Sequence, residues 1–245
     1  DSVTSWSSTF GIPANADEGT ESGLEHWDLL EGRFDWLAEG RWSRKSLREL
    51  LPAIGQELTN VDPRQSHQVV STGTWSTGTN VPLAILESKA MKLAWLFQIE
   101  HNGAWRWDVQ DNTADGCVAL SGPTNENHAW FKELHLGESF TTVPASFTIA
   151  HDFDGVIANV TDYRREVRSP HVDNVEPSVV FNDYMNSIYG APTTEKELPL
   201  IEAAGKAGIE IFVIDCGWYD DTGNWWPSVG EWMPSTTRFP GEKGI

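Results

Sequence analysis

Ten residues, Ile209 to Trp218 (IEIFVIDCGW), constrain this chain more than any other stretch. An apolar, β-branched run stops abruptly at an acid, a thiol, a glycine and an indole. A strand that reads as almost continuously apolar is expected to be buried on both faces, as the strands of parallel sheets are. In an α/β barrel the residues at the carboxyl end of such a strand carry the chemistry. Asp215 occupies that place.

The surroundings of the run fit a β-α-β unit. Val179-Val180-Phe181-Asn182 reads as the preceding strand, and a loop follows over 183–192. Thr193 or Thr194 is expected to cap a helix. Glu197, three residues after Thr194, completes a capping box. Leu198, Ile201, Ala204 and Ala207 give that helix its apolar face, and Gly208 ends it. After Trp218 comes a loop of roughly twenty residues, a length that is unusual in a compact domain unless the loop has a function.

Upstream of residue 170 the period is different. Short strand-like runs recur over 92–99, 104–109, 117–120, 129–133 and 147–151, separated by Asn-Gly, Asp-Asn, Asp-Gly and Gly-Pro-Thr-Asn turn signals. His101-Asn102-Gly103 is expected to turn a hairpin, with Trp105 and Trp107 facing one side. A helix is predicted over 154–168 and a shorter one over 43–51. The pattern predicts a β-sandwich domain over 1–170 followed by the start of a (β/α)8 TIM barrel, its first βαβ unit, over 171–245.

Composition narrows the function. The formal net charge is −19, which disfavours nucleic acid and anionic membrane surfaces as partners, since both need clustered Lys and Arg. No window is apolar and long enough for a membrane span, and no basic-then-apolar leader opens the chain. Cys117 and Cys216 lie far apart, which suits a reducing, cytoplasmic setting better than a disulfide framework. Zinc-ligand spacing, a phosphate-binding glycine loop and a nucleophile elbow are missing from the sequence, so neither metal nor organic cofactor is expected. The first residue is Asp and the last six are PGEKGI, so the chain reads as a piece of something longer.

A carboxylate beside an indole suits a sugar, with its apolar C–H faces and hydroxyl edges. Asp215 can accept hydrogen bonds from two hydroxyls, each strengthened by its charge; the plainer reading is a helix cap or a loop salt bridge. Trp218, Trp225, Trp226 and Trp232 cluster in or beside one polar, glycine-rich loop. Core packing normally claims half of such a set, which leaves at least one as a stacking platform. Cys216 reads as a small packing residue beside the pocket. His67 reads as a structural histidine.

At these residues the chain resembles glycoside hydrolase family 36, the α-galactosidases. The 209–219 stretch, Gly230-Glu231-Trp232 and Arg238-Phe239-Pro240 are similar to the family's second barrel strand and the loop after it. Phe181-Asn182-Asp183-Tyr184 falls where its first strand ends, and 98–109 is similar to a strand pair of its amino-terminal sandwich. The resemblance implies retaining hydrolysis of terminal α-galactosides such as raffinose-type oligosaccharides. It also implies a homo-oligomer, a tetramer in the family. Carried over by position, Asp215 matches an acid that binds hydroxyls of the terminal galactose, and Trp232 an aromatic of the same pocket. Trp218 belongs to the motif and supports the pocket from behind. Cys216 stands where the common pattern has a second acid, and Tyr184 where many members have Trp. The family's two catalytic carboxylates come from later barrel strands, so no residue here is assigned either role, and the chain alone is expected to be inactive. Two other readings of the same residues stay open: an α-galactosyl transglycosylase of the raffinose-synthase kind, and a non-catalytic, lectin-like carbohydrate-binding module.

Overall fold

The computed structural model describes residues 2–12, 23–52, 65–111, 116–230, 232–242 and 244–245. The chain divides into two compact units, Asp1–Val167 and Arg168–Ile245.

In chain order the first unit contains strands β1 (Ser2–Val3), β2 (Ser8–Ile12), β3 (Asp28–Asp35) and β4 (Ala38–Ser46). The one-turn helix α1 (Leu47–Leu50) precedes β5 (Ser66–Val70), β6 (Asn80–Ser88), β7 (Leu93–Ile99), β8 (Arg106–Asp111) and β9 (Gly116–Ser121). A second one-turn helix, α2 (Asn125–His128), leads to β10 (Lys132–Glu133), β11 (Ala145–Ala150) and helix α3 (Phe153–Val167). Two antiparallel sheets dominate, one in the order β11-β7-β6-β3-β4 and one in the order β2-β9-β8-β5.

Alternation along the strands explains how they pack. On β6, Ala84 and Leu86 face the second sheet while Ile85 faces away; on β7, Trp95, Phe97 and Ile99 face inward while Ala94 and Leu96 do not. The inward set meets Val69, Trp107, Val109, Val118 and Leu120 from the other sheet in one apolar core. Phe97 and Trp107 touch edge to face across it at 5.7 Å, a favoured aromatic geometry. The outward set, with Leu30, is covered by Phe153, Val156 and Val160 of α3. Gly155 N–H donates to Asp152 Oδ1 at 2.9 Å, which caps the start of that helix.

Several sequence expectations change here. The Asn102-Gly103 turn is not a hairpin: β7 pairs with β6 and β11, whereas β8 pairs with β5 and β9, so this segment crosses from one sheet to the other. Trp105 and Trp107 do share a side, because both are buried in the core beneath the crossover. The helix predicted over 43–51 shrinks to one turn capped by Ser46, since residues up to 46 pair with β3. The strand predicted over 129–133 reduces to Lys132–Glu133; α2 precedes it and Ala129 adopts a left-handed φ of 51°. The Asp111-Asn112 and Asp115-Gly116 turn signals fall at 112–115, outside the described residues.

The second unit contains β12 (Val180–Asn182), a π-helical turn over Tyr184–Ile188, helix α4 (Thr194–Lys206) and β13 (Ile211–Val213). β12 and β13 pair in parallel, Val180 to Ile211 and Asn182 to Val213, which makes the expected β-α-β segment. Thr193, not Thr194, caps α4, its side chain accepting from Lys196 N–H at 3.3 Å. A Schellman closure ends the helix: Gly208 has φ 82°, and Ile209 N–H reaches the Ala204 carbonyl at 3.0 Å. Burial on both strand faces is not seen. Val180 and Ile211 stand about half exposed, because among the described residues of this unit nothing covers that side of the pair. Among the described residues no closed barrel forms, and no helix is long and apolar enough to cross a membrane.

Candidate functional site

The carboxyl ends of β12 and β13 are tied by one further backbone hydrogen bond and by side chains. Asp183 N–H donates to the Val213 carbonyl at 3.1 Å. The Asp183 Oδ1 then accepts the backbone N–H of Asp215 at 2.9 Å. Asn182 completes the tie: its Oδ1 accepts Tyr184 N–H at 2.9 Å, so its Nδ2 is the atom that faces Asp215 Oδ2, at 2.6 Å. Asp215 itself is exposed, and Asn182 engages its Oδ2. An exposed carboxylate held by its own backbone and by a neighbouring amide is suited to accept hydroxyl donors.

The other candidates fall in two groups. Trp218 and Trp232 stack with centroids 6.0 Å apart and planes 29° apart, and Tyr219 meets Trp232 edge to face at 5.2 Å. Trp232 is 55 % exposed and sits at φ 50°, a costly conformation for a bulky residue. Tyr184 meets Trp225 and Tyr189 edge to face, each at 6.0 Å. Cys216 is buried, and burial first, then the charge of Asp215, pushes its thiol up to about 12, so it stays protonated and unreactive. Its sulfur lies against Gly190, where an added Cβ would stand 3.0 Å from Sγ and 2.5 Å from Trp225 Nε1. Glycine at 190 therefore lets the Tyr184–Trp225 group and Cys216 share one packed spot. Gly217 is under the same demand, since a Cβ there would come within 2.0 Å of the Gly190 carbonyl.

Asp220 and Arg238 hold the long loop in place. Asp220 is buried and accepts from Thr222 N–H, Thr222 Oγ1, Gly223 N–H, Ser228 Oγ and Arg238 Nη2. Burial raises this carboxyl, but the hydrogen bonds from Thr222, Gly223 and Arg238 outweigh it and hold Asp220 well below the usual carboxylate range. Arg238 also donates to the Asp220 carbonyl and, at 3.3 Å, to the Pro192 carbonyl. Ser235 N–H reaches the Trp218 carbonyl at 2.9 Å. The loop thus returns to the residue beside the indole stack. Among the described residues no cluster of three or more His, Cys, Asp or Glu is placed to hold a metal ion.

Sequence reasoning singled out neither Asn182 nor Asp220, and it took Glu197 for a capping residue. The cap at Thr193 puts Glu197 one position too far along the helix to reach back, and its side chain is buried instead, 2 % exposed. A doubled threonine with acids at the first and third positions after the pair leaves the cap ambiguous. The burial of one of those acids is the distinguishing fact, and only tertiary packing supplies it.

The first unit is an antiparallel two-sheet structure, and the second opens with a parallel β-α-β segment whose strand ends carry an exposed acid. Neither a protein-family model nor a curated protein sequence matches the chain. Solved structures do. The α-galactosidase AgaA of Geobacillus stearothermophilus, a family 36 glycoside hydrolase solved as a variant in complex with 1-deoxygalactonojirimycin, aligns with TM-score 0.73 and 17 % identity over 92 % of this chain and 29 % of that one. AgaB of the same organism aligns with TM-score 0.69 and 18 % identity over 90 % and 29 %. An α-galactosidase of Lactobacillus brevis aligns with TM-score 0.68 and 16 % identity over 95 % and 28 %. At that identity the likeness is one of fold, and the resemblance to the amino-terminal portion of family 36 holds at that level. The chain spans about 29 % of the length of the enzymes it matches.

Proposed function

We propose that this chain carries the galactose-recognition end of a retaining α-galactosidase, in which residues 1–170 are the amino-terminal β-sandwich and 171–245 begin the catalytic (β/α)8 barrel. The observation that carries the reading is Asp215: an exposed carboxylate at the carboxyl ends of two parallel strands, fixed by Asn182 and Asp183. Ligands of open α/β sheets and barrels bind at those ends. Asp215 accepts two hydroxyls of a terminal α-galactosyl group, and Trp232, stacked on Trp218, packs against the apolar face of the ring. Cys216 and Tyr184 shape the pocket floor without bonding the sugar. Solved AgaA variants are complexes with stachyose and with raffinose, which are α-galactosides, and this supports the same substrate class here. A retaining reaction needs two carboxylates about 5–5.5 Å apart. Neither role is assigned to a residue of this chain, whose part is to bind and orient the sugar.

The test is isothermal titration of the chain with methyl α-galactoside. Wild type is expected to bind, and Asp215→Ala to bind on the order of ten- to a hundredfold more weakly, the loss of two charge-assisted hydrogen bonds. The exposed position of Asp215 predicts an unchanged melting profile. Undiminished binding by Asp215→Ala would place recognition in the sandwich and favour the lectin-like module instead.

A further inference from the structure

Asp183 and Glu197 are both buried, 1 % and 2 % exposed. Asp183 follows β12 and Glu197 lies in the first turns of α4, and their carboxyls are within hydrogen-bonding reach of each other. Asp183 Oδ1 is occupied by the Asp215 N–H. Asp183 Oδ2 and both oxygens of Glu197 have no N–H or O–H donor among the described residues. Three buried carboxylate oxygens without donors would be costly if both groups were ionised, because neighbouring buried carboxylates repel and lack solvent. One proton removes the difficulty. It neutralises one acid and turns it into the missing donor, as in other carboxyl pairs that share a proton.

We propose that Glu197 is a positioning residue for Asp215: its protonated carboxyl donates to Asp183 Oδ2, and Asp183 Oδ1 in turn accepts the Asp215 N–H, so that one proton fixes the end of β13. The inference rests on the reading of Asp215 as the sugar-binding acid. Its environment agrees with the assignment. Burial first, then the hydrogen bond to Asp183 and the Asp183 charge, raise Glu197 from 4.5 to about 7, opposed by the positive charge of Lys196. The Cys216 thiol, which feels the charges of both Asp215 and Asp183, stays neutral. Lys196 is tied to the Ala191 carbonyl at 2.9 Å and is not the donor that the pair lacks. Because the folded-state value lies above the ordinary one, the pair's contribution to stability is complete below pH 4.5 and is lost as pH rises through about 7. The proton then leaves to solvent, two buried negative charges face each other, and the Asp183 carboxylate no longer holds Asp215 in place.

Nuclear magnetic resonance of the full chain, labelled at backbone amides and glutamate carboxyls, tests this from about pH 5.5 to about pH 8.5. The Glu197 carboxyl and the Asp215 amide are expected to titrate together, with a midpoint about 7. In Glu197→Gln the amide group replaces the proton as donor, so the Asp215 amide should hold its low-pH position throughout. Methyl α-galactoside affinity, measured in parallel, is expected to fall about tenfold across that range in wild type and to stay flat in Glu197→Gln, the scale of one charge-assisted hydrogen bond. Should Glu197→Gln fail to fold, Asp183→Asn carries the test: its amide donates to Glu197 and removes the facing charge, so the Glu197 midpoint should fall below that of wild type while burial still holds it up. An Asp215 amide that does not titrate in wild type, or that titrates identically in Glu197→Gln, overturns the proposal. If the amide behaves as expected but no galactoside binds at any pH, the positioning link stands and the sugar reading falls.

Discussion

Trp105 and Trp107 in the first unit are no more than 1 % exposed, whereas Trp226 and Trp232 in the second stand 58 % and 55 % exposed. These two pairs do opposite work, although Trp36, Trp42 and Trp75 of the first unit are exposed as well. In the two-sheet core Trp105 and Trp107 supply area removed from water, and their N–H groups are satisfied locally: Trp105 Nε1 donates to the Ser76 carbonyl at 2.7 Å and Trp107 Nε1 to the Val81 carbonyl at 3.4 Å. Stability there is spread over many apolar neighbours. In the second unit the short strands are half exposed, and shape depends on a few polar ties, chiefly Asp183 to Asp215 and Asp220 to Arg238. Such ties specify geometry sharply but answer to protonation. A region built this way suits recognition, because its exposed rings and carboxylate remain available to a ligand.

The largest effect that this contrast predicts is in the core. Trp107→Ala should cost about 3–5 kcal/mol, the range for a fully buried aromatic truncated in a packed interior. Denaturant unfolding followed by circular dichroism measures it, and a cost below about 1 kcal/mol would mean the sandwich does not depend on its buried rings as supposed. Next in size is acid opening of the loop. The Asp220 carboxyl lies below its ordinary value of 3.8 in the folded chain, so its stabilisation is complete above that pH and is lost as pH falls through the folded value. Amide exchange at Thr222 and Gly223 should accelerate in acid while Val118, in the middle of the four-stranded sheet, stays protected. Asp220→Asn should already exchange fast at neutral pH, since it cannot serve all the donors now facing the carboxylate. Equal acid response at Val118 and Gly223 would erase the distinction between the units.

What could be read beforehand follows the same division. Apolar runs and the punctuation between them are local signals, and they located β7, β8, β9 and β11 but not β6. The long helix over 154–168 was legible because Val156 and Val160 recur at helical spacing. Partnership between strands was not legible, and Asn102-Gly103 shows why: a turn sequence reports that the chain bends, not which sheet receives the next strand. The β3–β4 pairing escaped notice because β4 is mostly polar and exposed, so it lacks the apolar alternation that marks a half-buried strand. At the site, Asp215 stood out because a charge ends an apolar run. Its supports Asn182, Asp183 and Glu197 did not, since a buried acid in a helix's first turns reads as a favourable dipole partner until a second acid is found beside it.

A smaller effect tests whether the exposed indole is there for contact or for packing. Trp232→Ala keeps the Cβ, so the left-handed backbone stays strained and the stack on Trp218 is lost. Stability should fall by about 0.5–1.5 kcal/mol, the worth of one aromatic pair. Binding of methyl α-galactoside should weaken roughly three- to tenfold, the scale of one aromatic contact. Loss of stability without loss of affinity would make Trp232 part of the unit's packing and weaken the contrast with Trp107.

The smallest predicted effect lies on the surface of α4, where Lys206 Nζ meets Glu202 Oε1 at 2.7 Å with both side chains about 70 % exposed. The order is the favourable one, Glu four residues before Lys, and Lys206 also stands in the last turn, where the helix dipole favours a cation. Water screens both contributions and the long side chains lose entropy in pairing, so Lys206→Ala should cost only about 0.3–0.5 kcal/mol. A thermal melt of the variant, read at an amide of the second unit, decides the matter. A shift much larger than that would show surface charge sharing the work now ascribed to Asp183 and Asp220, and the second unit would then resemble the first in having its stability widely distributed.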